Sequence, residues 1–153
     1  MNIQPIEAFH VIGISVRTTN ENGKALVDIP ALWGKFISEA TLARIPGKID
    51  NTVYCIYTKY EKDHTKPYTT ILGCKVKNLD KIPEGMVGVT IASGNYQPFT
   101  AKGNLTKGAV YNEWTKIWNS YIERAFTSDF EMYGAKAQNP ADGEVDIFIA
   151  IKD

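Results

Sequence analysis

Six segments of the chain either alternate hydrophobic and polar positions or carry a short apolar run, and both patterns are typical of β-strands. These segments are residues 9–18, 52–58, 68–76, 86–99, 130–133 and 145–151. A polar stretch at residues 61–67 joins the second and third segments and predicts a hairpin loop. The chain is therefore expected to form a sheet whose strands are mostly joined in antiparallel fashion.

Two further segments repeat large apolar residues at steps of three and four, which is the spacing of an amphipathic helix. The first set is Leu32, Trp33, Phe36, Ile37 and Ala40, and the second is Tyr111, Trp114, Trp118, Tyr121 and Ile122. Asp28 is a suitable N-cap for the first helix, because Pro30 follows within the first turn. This helix is expected to end before Ile45.

The predicted elements occur in the same order twice, as strand, helix, strand and strand. We therefore predict an α+β fold made of duplicated strand–helix–strand–strand units, with pseudo-repeats at residues 1–78 and 84–153 within a single domain. Each unit has only one helix to cover its strands, so the units are expected to share one antiparallel sheet. Both helices would lie on this sheet, with a central groove along the pseudo-two-fold axis where a ligand could bind.

Length and charge narrow the function classes. The 153 residues suit one domain, and 17 Lys+Arg balance 17 Asp+Glu to give a net charge of zero. A nucleic-acid-binding protein normally has a basic excess, so we expect no direct nucleic-acid binding. There is neither a signal-peptide pattern nor an apolar run of about 20 residues, so we expect a cytoplasmic protein without a membrane partner.

Residues typical of metal or nucleophilic catalysis are scarce. The chain has two histidines, and His64 lies in the polar hairpin, where a solvated turn is more plausible than a metal ligand. No nucleophile elbow, metalloprotease motif or phosphate-binding loop is present, so neither a metal nor another cofactor is expected. Cys55 and Cys74 are expected to be buried thiols, and a single bridge between them is the alternative.

Aromatic residues are numerous: the chain has 3 Trp, 8 Tyr and 6 Phe. They could form an ordinary core between helix and sheet, but amphipathic rings also suit a pocket that must be apolar and still donate hydrogen bonds. Within the segment 129–133, strand alternation places Glu131 and Tyr133 on one face and Phe130 on the other. Glu131 faces either solvent or the aromatic groove, and in the groove it would favour an organic cation as ligand.

The chain resembles the GyrI-like effector-binding domains, a family that includes the ligand-sensing halves of multidrug-responsive transcription regulators. It is most similar to their stand-alone integron-cassette members. The resemblance covers essentially the whole chain and rests on the order and spacing of several marks rather than on any single motif. These marks are Leu32-Trp33 with Phe36, Tyr54-x-x-Tyr57-Thr58-x-Tyr60-Glu61 with Tyr68 and Gly73, Gly94-x-Tyr96, Trp114-x-x-Ile117-Trp118, Asp129-Phe130-Glu131-x-Tyr133, and Val145-Asp146-Ile147-x-Ile149-x-Ile151.

The resemblance implies that the characteristic acid of the family, which binds lipophilic cations, corresponds to Glu131. It also implies an aromatic wall, whose predicted members are Tyr57, Tyr68, Tyr96, Trp114 and Phe148. Tyr133 completes the predicted ligand-binding set, while Trp33 and Trp118 are assigned to the core. No DNA-binding segment precedes the first predicted strand, so we expect any regulatory output to need a separate protein partner.

Three functions remain open at this point. The favoured one is binding of a lipophilic or cationic small molecule, as a sensor, as a buffer against toxic compounds or as a partner of a regulator. The second is a hydrolase for strained toxic molecules, in which Glu131 would be the base and Tyr133 the acid. The third is an interaction module for gyrase or a regulator. An enzyme is less expected than a binding protein, and the oligomeric state is not predicted.

Overall fold

Eight strands form one antiparallel sheet in the computed structural model, which describes residues 2–153. The strands are β1 (Gln4–Ile6), β2 (Phe9–Thr18), β3 (Val53–Thr58), β4 (Tyr68–Val76), β5 (Val87–Ile91), β6 (Gly94–Gly103), β7 (Ser128–Tyr133) and β8 (Gly143–Ala150). The α-helices are α1 (Ala25–Ser38), α2 (Thr41–Arg44) and α3 (Ala109–Trp118). Short 3₁₀ turns occur at Glu21–Gly23, Leu105–Lys107, Ala135–Ala137 and Pro140–Asp142. The predicted α+β class and the mostly antiparallel sheet are confirmed.

The order of the strands across the sheet is symmetric. It runs β1-β6-β8-β7-β3-β4-β2-β5. If β1 is exchanged with β5, β2 with β6, β3 with β7 and β4 with β8, the same order is obtained in reverse. Strands β3 and β7 meet at the centre, where Cys55 pairs directly with Glu131. Each half of the chain contributes four strands, with α1 and α2 between β2 and β3 in the first half and α3 between β6 and β7 in the second. The division into pseudo-repeats at residues 1–78 and 84–153 stays a prediction.

The long strand predicted at residues 86–99 is two strands, and this prediction was wrong. β5 pairs with β2 at one end of the sheet order, whereas β6 pairs with β1 and β8 near the other end. Only Ala92 and Ser93 connect β5 to β6, and so short a connection spans roughly 10 Å at most. The two ends of the sheet must therefore lie side by side, which means that the sheet is curled. The strand β1 was not predicted, since three residues carry no periodic signal.

Helix α1 begins earlier than the sequence pattern indicated. Its N-cap is Lys24 rather than Asp28, because the preceding 3₁₀ turn already directs the chain into the helix, and Pro30 lies inside it. Proline removes the hydrogen bond to the carbonyl of the residue four positions earlier. That residue is Leu26, which is exposed, so water can replace the lost donor. At the other helix, α3 ends at Trp118, and Tyr121 lies beyond it in solvent.

The two faces of the curled sheet contact different parts of the core. Helices α1 and α3 cover one face, where Leu32 of α1 and Ile117 of α3 pack against strand residues. The other face closes on itself around Phe130, which contacts Phe9 and Tyr96 from opposite ends of the sheet. Within residues 2–153, no helix is long and apolar enough to span a membrane.

Candidate functional site

A cavity of about 220 Å³ lies on the helix-covered face of the sheet, between α1 and α3. Strands β3, β4 and β7 form its floor and the hairpin between β3 and β4 closes one end. Its walls are mainly aromatic and aliphatic, with a few polar groups. The lining residues are Asn20, Ala25, Leu26, Ile29, Pro30, Trp33, Tyr57, Tyr60, His64, Tyr68, Val110, Tyr111, Trp114, Trp118, Arg124, Glu131 and Tyr133.

Glu131 is buried at the floor of this cavity, with 1% of its surface exposed. The Tyr57 hydroxyl donates to its Oε2 at 2.7 Å, and the indole Nε1 of Trp114 donates to the same oxygen at 2.6 Å. The Tyr133 hydroxyl donates to Oε1 at 2.6 Å. The alternative in which Glu131 faces solvent is therefore excluded, and all three donors that hold this carboxylate are neutral.

Burial and hydrogen bonding act on the Glu131 carboxyl in opposite directions. Loss of hydration raises its pKa above the ordinary value of a glutamate, while the hydrogen bonds from Tyr133, Tyr57 and Trp114 lower it. Burial prevails, and the net shift is upward. Burial also raises the pKa of the Tyr57 and Tyr133 hydroxyls well above the tyrosine value, and the nearby carboxylate adds to this effect. Both hydroxyls therefore stay protonated and can donate to the carboxylate.

The position of Glu131 follows from the centre of the sheet. Glu131 and Cys55 are paired residues of β7 and β3, and each is followed two residues later by a tyrosine on the same face. Because the strands are antiparallel, Tyr57 and Tyr133 reach the central pair from opposite directions. The Cys55 thiol donates to the Tyr57 oxygen at 3.4 Å, so only one position of the central pair carries a charge.

Aromatic edges and faces enclose the space above the carboxylate. Tyr57 meets Trp114 at a centroid distance of 5.4 Å with an interplanar angle of 86°, and meets Tyr68 at 5.9 Å and 79°. Trp33 of α1 stands 4.8 Å from Tyr133 at 73°. The Tyr68 hydroxyl is held by the Asn20 side chain, to which it donates at 2.7 Å. These edge-to-face contacts fix the rings, and all of these aromatic residues line the cavity.

A second polar group lies beside Glu131. Arg124 donates from Nη2 to Asp129 Oδ2 at 2.7 Å, and the hydroxyl of Tyr60 donates to the same oxygen at 2.5 Å. The backbone N–H of Ala150 donates to Asp129 Oδ1 at 2.8 Å. Asp129 is fully buried and Arg124 is 8% exposed. The two opposite charges therefore balance each other, which leaves Glu131 as the carboxylate in the cavity without a cationic partner.

Five of the seven predicted binding residues meet at this cavity, namely Glu131, Tyr57, Tyr68, Trp114 and Tyr133. Two do not, and here the expected wall is corrected. Tyr96 and Phe148 lie on the opposite face of the sheet, where their rings pack against Phe130 at 5.4 Å and 5.1 Å. The reason is strand parity: Phe148 directly opposes Phe130 across β7 and β8, and paired residues point to the same face.

Several lining residues were assigned otherwise from the sequence. Trp33 and Trp118 were expected in the core, and each does pack against a core cluster, but both also line the cavity. His64 was expected in a solvated turn, but its ring stacks on Trp118 at 6.1 Å and on Phe126 at 6.2 Å. The helical stripe that places Trp118 one turn after Trp114 was a usable signal. The position of His64 carried no signal, because it depends on how the hairpin folds back.

Neither cysteine forms a bridge: Cys55 and Cys74 are both buried free thiols. Burial raises the pKa of Cys74 to about 11, and that of Cys55 also rises, so both are neutral at ordinary pH. No cluster of three or more His, Cys, Asp or Glu side chains in residues 2–153 has an arrangement that could hold a metal ion. The polar chemistry of the cavity therefore comes from the Glu131 carboxylate, its neutral donors and the guanidinium of Arg124, which is paired with Asp129.

The chain is similar to several known proteins. The model of a family described as Cass2, integron-associated effector binding protein, matches residues 2–151. An integron cassette protein of Vibrio cholerae is 33% identical, with a TM-score of 0.78 over 99% of this chain and 95% of its own. A putative transcriptional regulator of Bacillus subtilis (strain 168), YobU, is 29% identical over an alignment of 148 residues that covers 92% of this chain and 90% of the relative.

A further structure, described as SAV2435 bound to tetraphenylphosphonium, has a TM-score of 0.81 at 18% identity. It covers 99% of this chain and 93% of its own. At this level of identity the likeness concerns the fold.

Proposed function

The chain belongs to the family of integron-associated effector binding proteins, and we propose that its effector is a lipophilic organic cation bound in the aromatic cavity above Glu131. The family supports small-molecule binding in general. The preference for a cation is inferred from the charges and rings of the cavity.

The observation that carries the proposal is the uncompensated charge of Glu131. Its three hydrogen-bond donors are neutral, and the Arg124 guanidinium is already paired with Asp129. A buried carboxylate without a cationic partner is costly, and a ligand cation would relieve that cost. Because its oxygens already accept three short hydrogen bonds, the carboxylate would act on the ligand mainly through charge. A cation without N–H groups is therefore well suited.

The rings strengthen the same preference. A cation close to the face of a tryptophan or tyrosine gains roughly 0.5–2 kcal/mol from each ring. Tyr57, Tyr68 and Trp114 are held in edge-to-face contacts at the cavity, so little conformational entropy is lost when a ligand binds. An apolar, planar or branched ligand of about the cavity volume would bury most of its surface there. The ligand-bound relative carries tetraphenylphosphonium, a lipophilic cation of this class.

The test compares a cationic and a neutral fluorescent dye of similar size and shape, tetramethylrosamine and Nile red, in titrations with the parent protein and Glu131→Gln. We expect the substitution to weaken rosamine binding by about tenfold or more, which is roughly 1.4 kcal/mol, and to change Nile red affinity by less than twofold. Glu84→Gln, an exposed site without partners, is the matched control. Equal rosamine affinity in parent and Glu131→Gln would contradict the proposal.

Binding is proposed to serve regulation. One relative is described as a putative transcriptional regulator, and the family description is that of an effector-binding protein. We infer that the occupied protein acts in the cytoplasm on a separate regulator. Co-purification from cells with and without added rosamine tests this part, since a partner that senses the effector must change in abundance on binding.

A further inference from the structure

One end of the cavity holds polar atoms that no hydrogen bond uses. Arg124 is 92% buried, and although its Nη2 is paired with Asp129, its Nε and Nη1 have no partner in the structure. The Nδ1 atom of His64 is likewise buried without a partner. Both residues line the same cavity as Glu131. An unsatisfied buried donor costs about 1–3 kcal/mol, so three such atoms at one place need an explanation.

The aromatic contacts of Arg124 do not account for these atoms. Its guanidinium carbon lies 4.4 Å from the centroid of Phe126 and 5.8 Å from that of Trp114. Such contacts use the face of the guanidinium, whereas its N–H groups point outward in the plane. Asp129 does not take them up either: it accepts from Nη2 of Arg124, from Tyr60 and from the N–H of Ala150, but not from Nε or Nη1. The free N–H groups therefore remain available to another acceptor.

From this arrangement we infer that Arg124 and His64 form a second subsite, which binds a carbonyl or carboxylate oxygen of the same ligand whose cation lies at Glu131. The inference rests on the proposed function, since it adds a second contact to a cationic ligand. The Nε and Nη1 groups of Arg124 donate to the oxygen. His64, whose ring stacks on Trp118 and Phe126 at the same cavity, supplies a further donor through Nδ1.

The spacing of the two subsites suits one ligand. Asp129 and Glu131 are two residues apart on the same face of β7, so about 7 Å separates them along the strand. Trp114 links both ends: its indole N–H donates to Glu131, and its ring contacts Arg124. A ligand that places a cation and an oxygen at the two ends of one aromatic ring system satisfies both. Burial and the charge of Arg124 lower the pKa of His64, which keeps the ring neutral beside the guanidinium.

Three dyes with one cationic xanthene core test this subsite. Tetramethylrosamine has no hydrogen-bond acceptor on its pendant phenyl ring. Tetramethylrhodamine methyl ester has an ester carbonyl at this ring, and tetramethylrhodamine has a carboxylate. In fluorescence titrations the parent protein is expected to bind one or both oxygen-bearing dyes at least fivefold more tightly than rosamine. The dye that gains more identifies the oxygen as carbonyl or carboxylate. Equal affinity of all three dyes overturns the inference.

Arg124→Lys keeps a cation beside Asp129 but removes the planar fork, so the preference for the oxygen-bearing dyes should fall to within twofold. His64→Phe keeps the ring contacts and removes Nδ1, and it should lower the same preference even if the lysine variant does not fold. Arg44→Lys, at an exposed helix end, is the matched control and should retain the full preference. An unchanged preference in both cavity variants also overturns the inference.

Failure of this subsite can be distinguished from failure of the proposed function. If all three dyes bind equally and Glu131→Gln weakens each of them, the cation site stands and the acceptor subsite is refuted. If the dyes bind with the same affinity to the parent and to Glu131→Gln, the proposed function itself is refuted.

Discussion

Glu131→Gln should weaken binding and at the same time stabilise the empty protein. A glutamine fits the same contacts: its carbonyl accepts from Tyr57 and Trp114 in place of Oε2, and its amide donates to the hydroxyl of Tyr133, which turns to accept. The substitution therefore removes a charge without leaving a cavity. Its effect on the free energy of unfolding measures what the buried charge costs.

The magnitude follows from two opposing contributions. A hydrogen bond to a charged group is worth roughly 1 kcal/mol more than a neutral one, so the three bonds together recover about 3 kcal/mol. Burying the carboxylate costs several kcal/mol even after relaxation. The raised pKa of Glu131 indicates that burial outweighs the bonds. We therefore expect Glu131→Gln to be more stable than the parent at pH 8 by on the order of 1–2 kcal/mol.

The pH dependence of stability gives the sign of the difference between Glu131→Gln and the parent independently. Because the folded pKa is raised above the unfolded value of about 4.3, the folded carboxyl retains its proton where the unfolded one has lost it. The parent therefore loses stability as pH rises from about 4 through the folded pKa, and then levels off. Glutamine does not titrate, so the advantage of the variant is absent near pH 4 and grows through this window.

Urea unfolding at several pH values between 4 and 8, followed by tryptophan fluorescence, measures this difference. Glu84→Gln, at an exposed position, should show no comparable trend. A Glu131→Gln protein that is less stable than the parent at pH 8, with the difference vanishing near pH 4, would refute the reasoning. It would show that the hydrogen bonds to Glu131 stabilise the fold by more than burial of its charge destabilises it.

Three further predictions test other parts of the structure. Trp114→Phe removes the indole donor to Glu131 and should lower the free energy of unfolding by about 1–3 kcal/mol, measured in urea. Tyr96→Phe removes a hydroxyl on the opposite face of the sheet, so rosamine affinity should stay within twofold of the parent's by titration. Gly13→Ala should prevent stable folding, as judged by circular dichroism, since its Cβ would collide with the backbone carbonyl oxygen of Leu72 on the paired strand.

Local patterns predicted the bounds of a strand well where its partners lie in the same half of the sheet. The bounds predicted for β2 and β4 match the structure, because both strands lie within one half of the sheet and alternate clearly. The segment 86–99 was predicted as one strand because its residues favour β-structure throughout. The break at Ala92 and Ser93 exists because the chain leaves β2 at one end of the sheet order and next pairs with β1 and β8 near the other end. Sequence periodicity cannot register such a tertiary cause.

Strand parity and helical spacing predicted the part of the candidate site that lies on single strands and helices. Parity placed Glu131 and Tyr133 together, and the helical stripe placed Trp118 one turn beyond Trp114. Parity would also have placed Phe148 on the face opposite to Glu131. That step requires the register between β7 and β8, which the sequence does not give. His64 and Arg124 lie in or near loops, and folding rather than spacing brings them to the cavity.

The central residue pair of the sheet, Cys55 and Glu131, explains why the cavity has one acidic residue at its floor and not two. Cys55 and Glu131 face each other across β3 and β7, and Tyr57 and Tyr133 extend from them in opposite directions. If both central positions carried carboxylates, their like charges would be buried side by side, and one would have to be protonated. A cysteine at one position avoids this repulsion, and its thiol still donates to Tyr57. The symmetric arrangement thus supplies two tyrosine donors to a single charge, and that charge remains available to a cation.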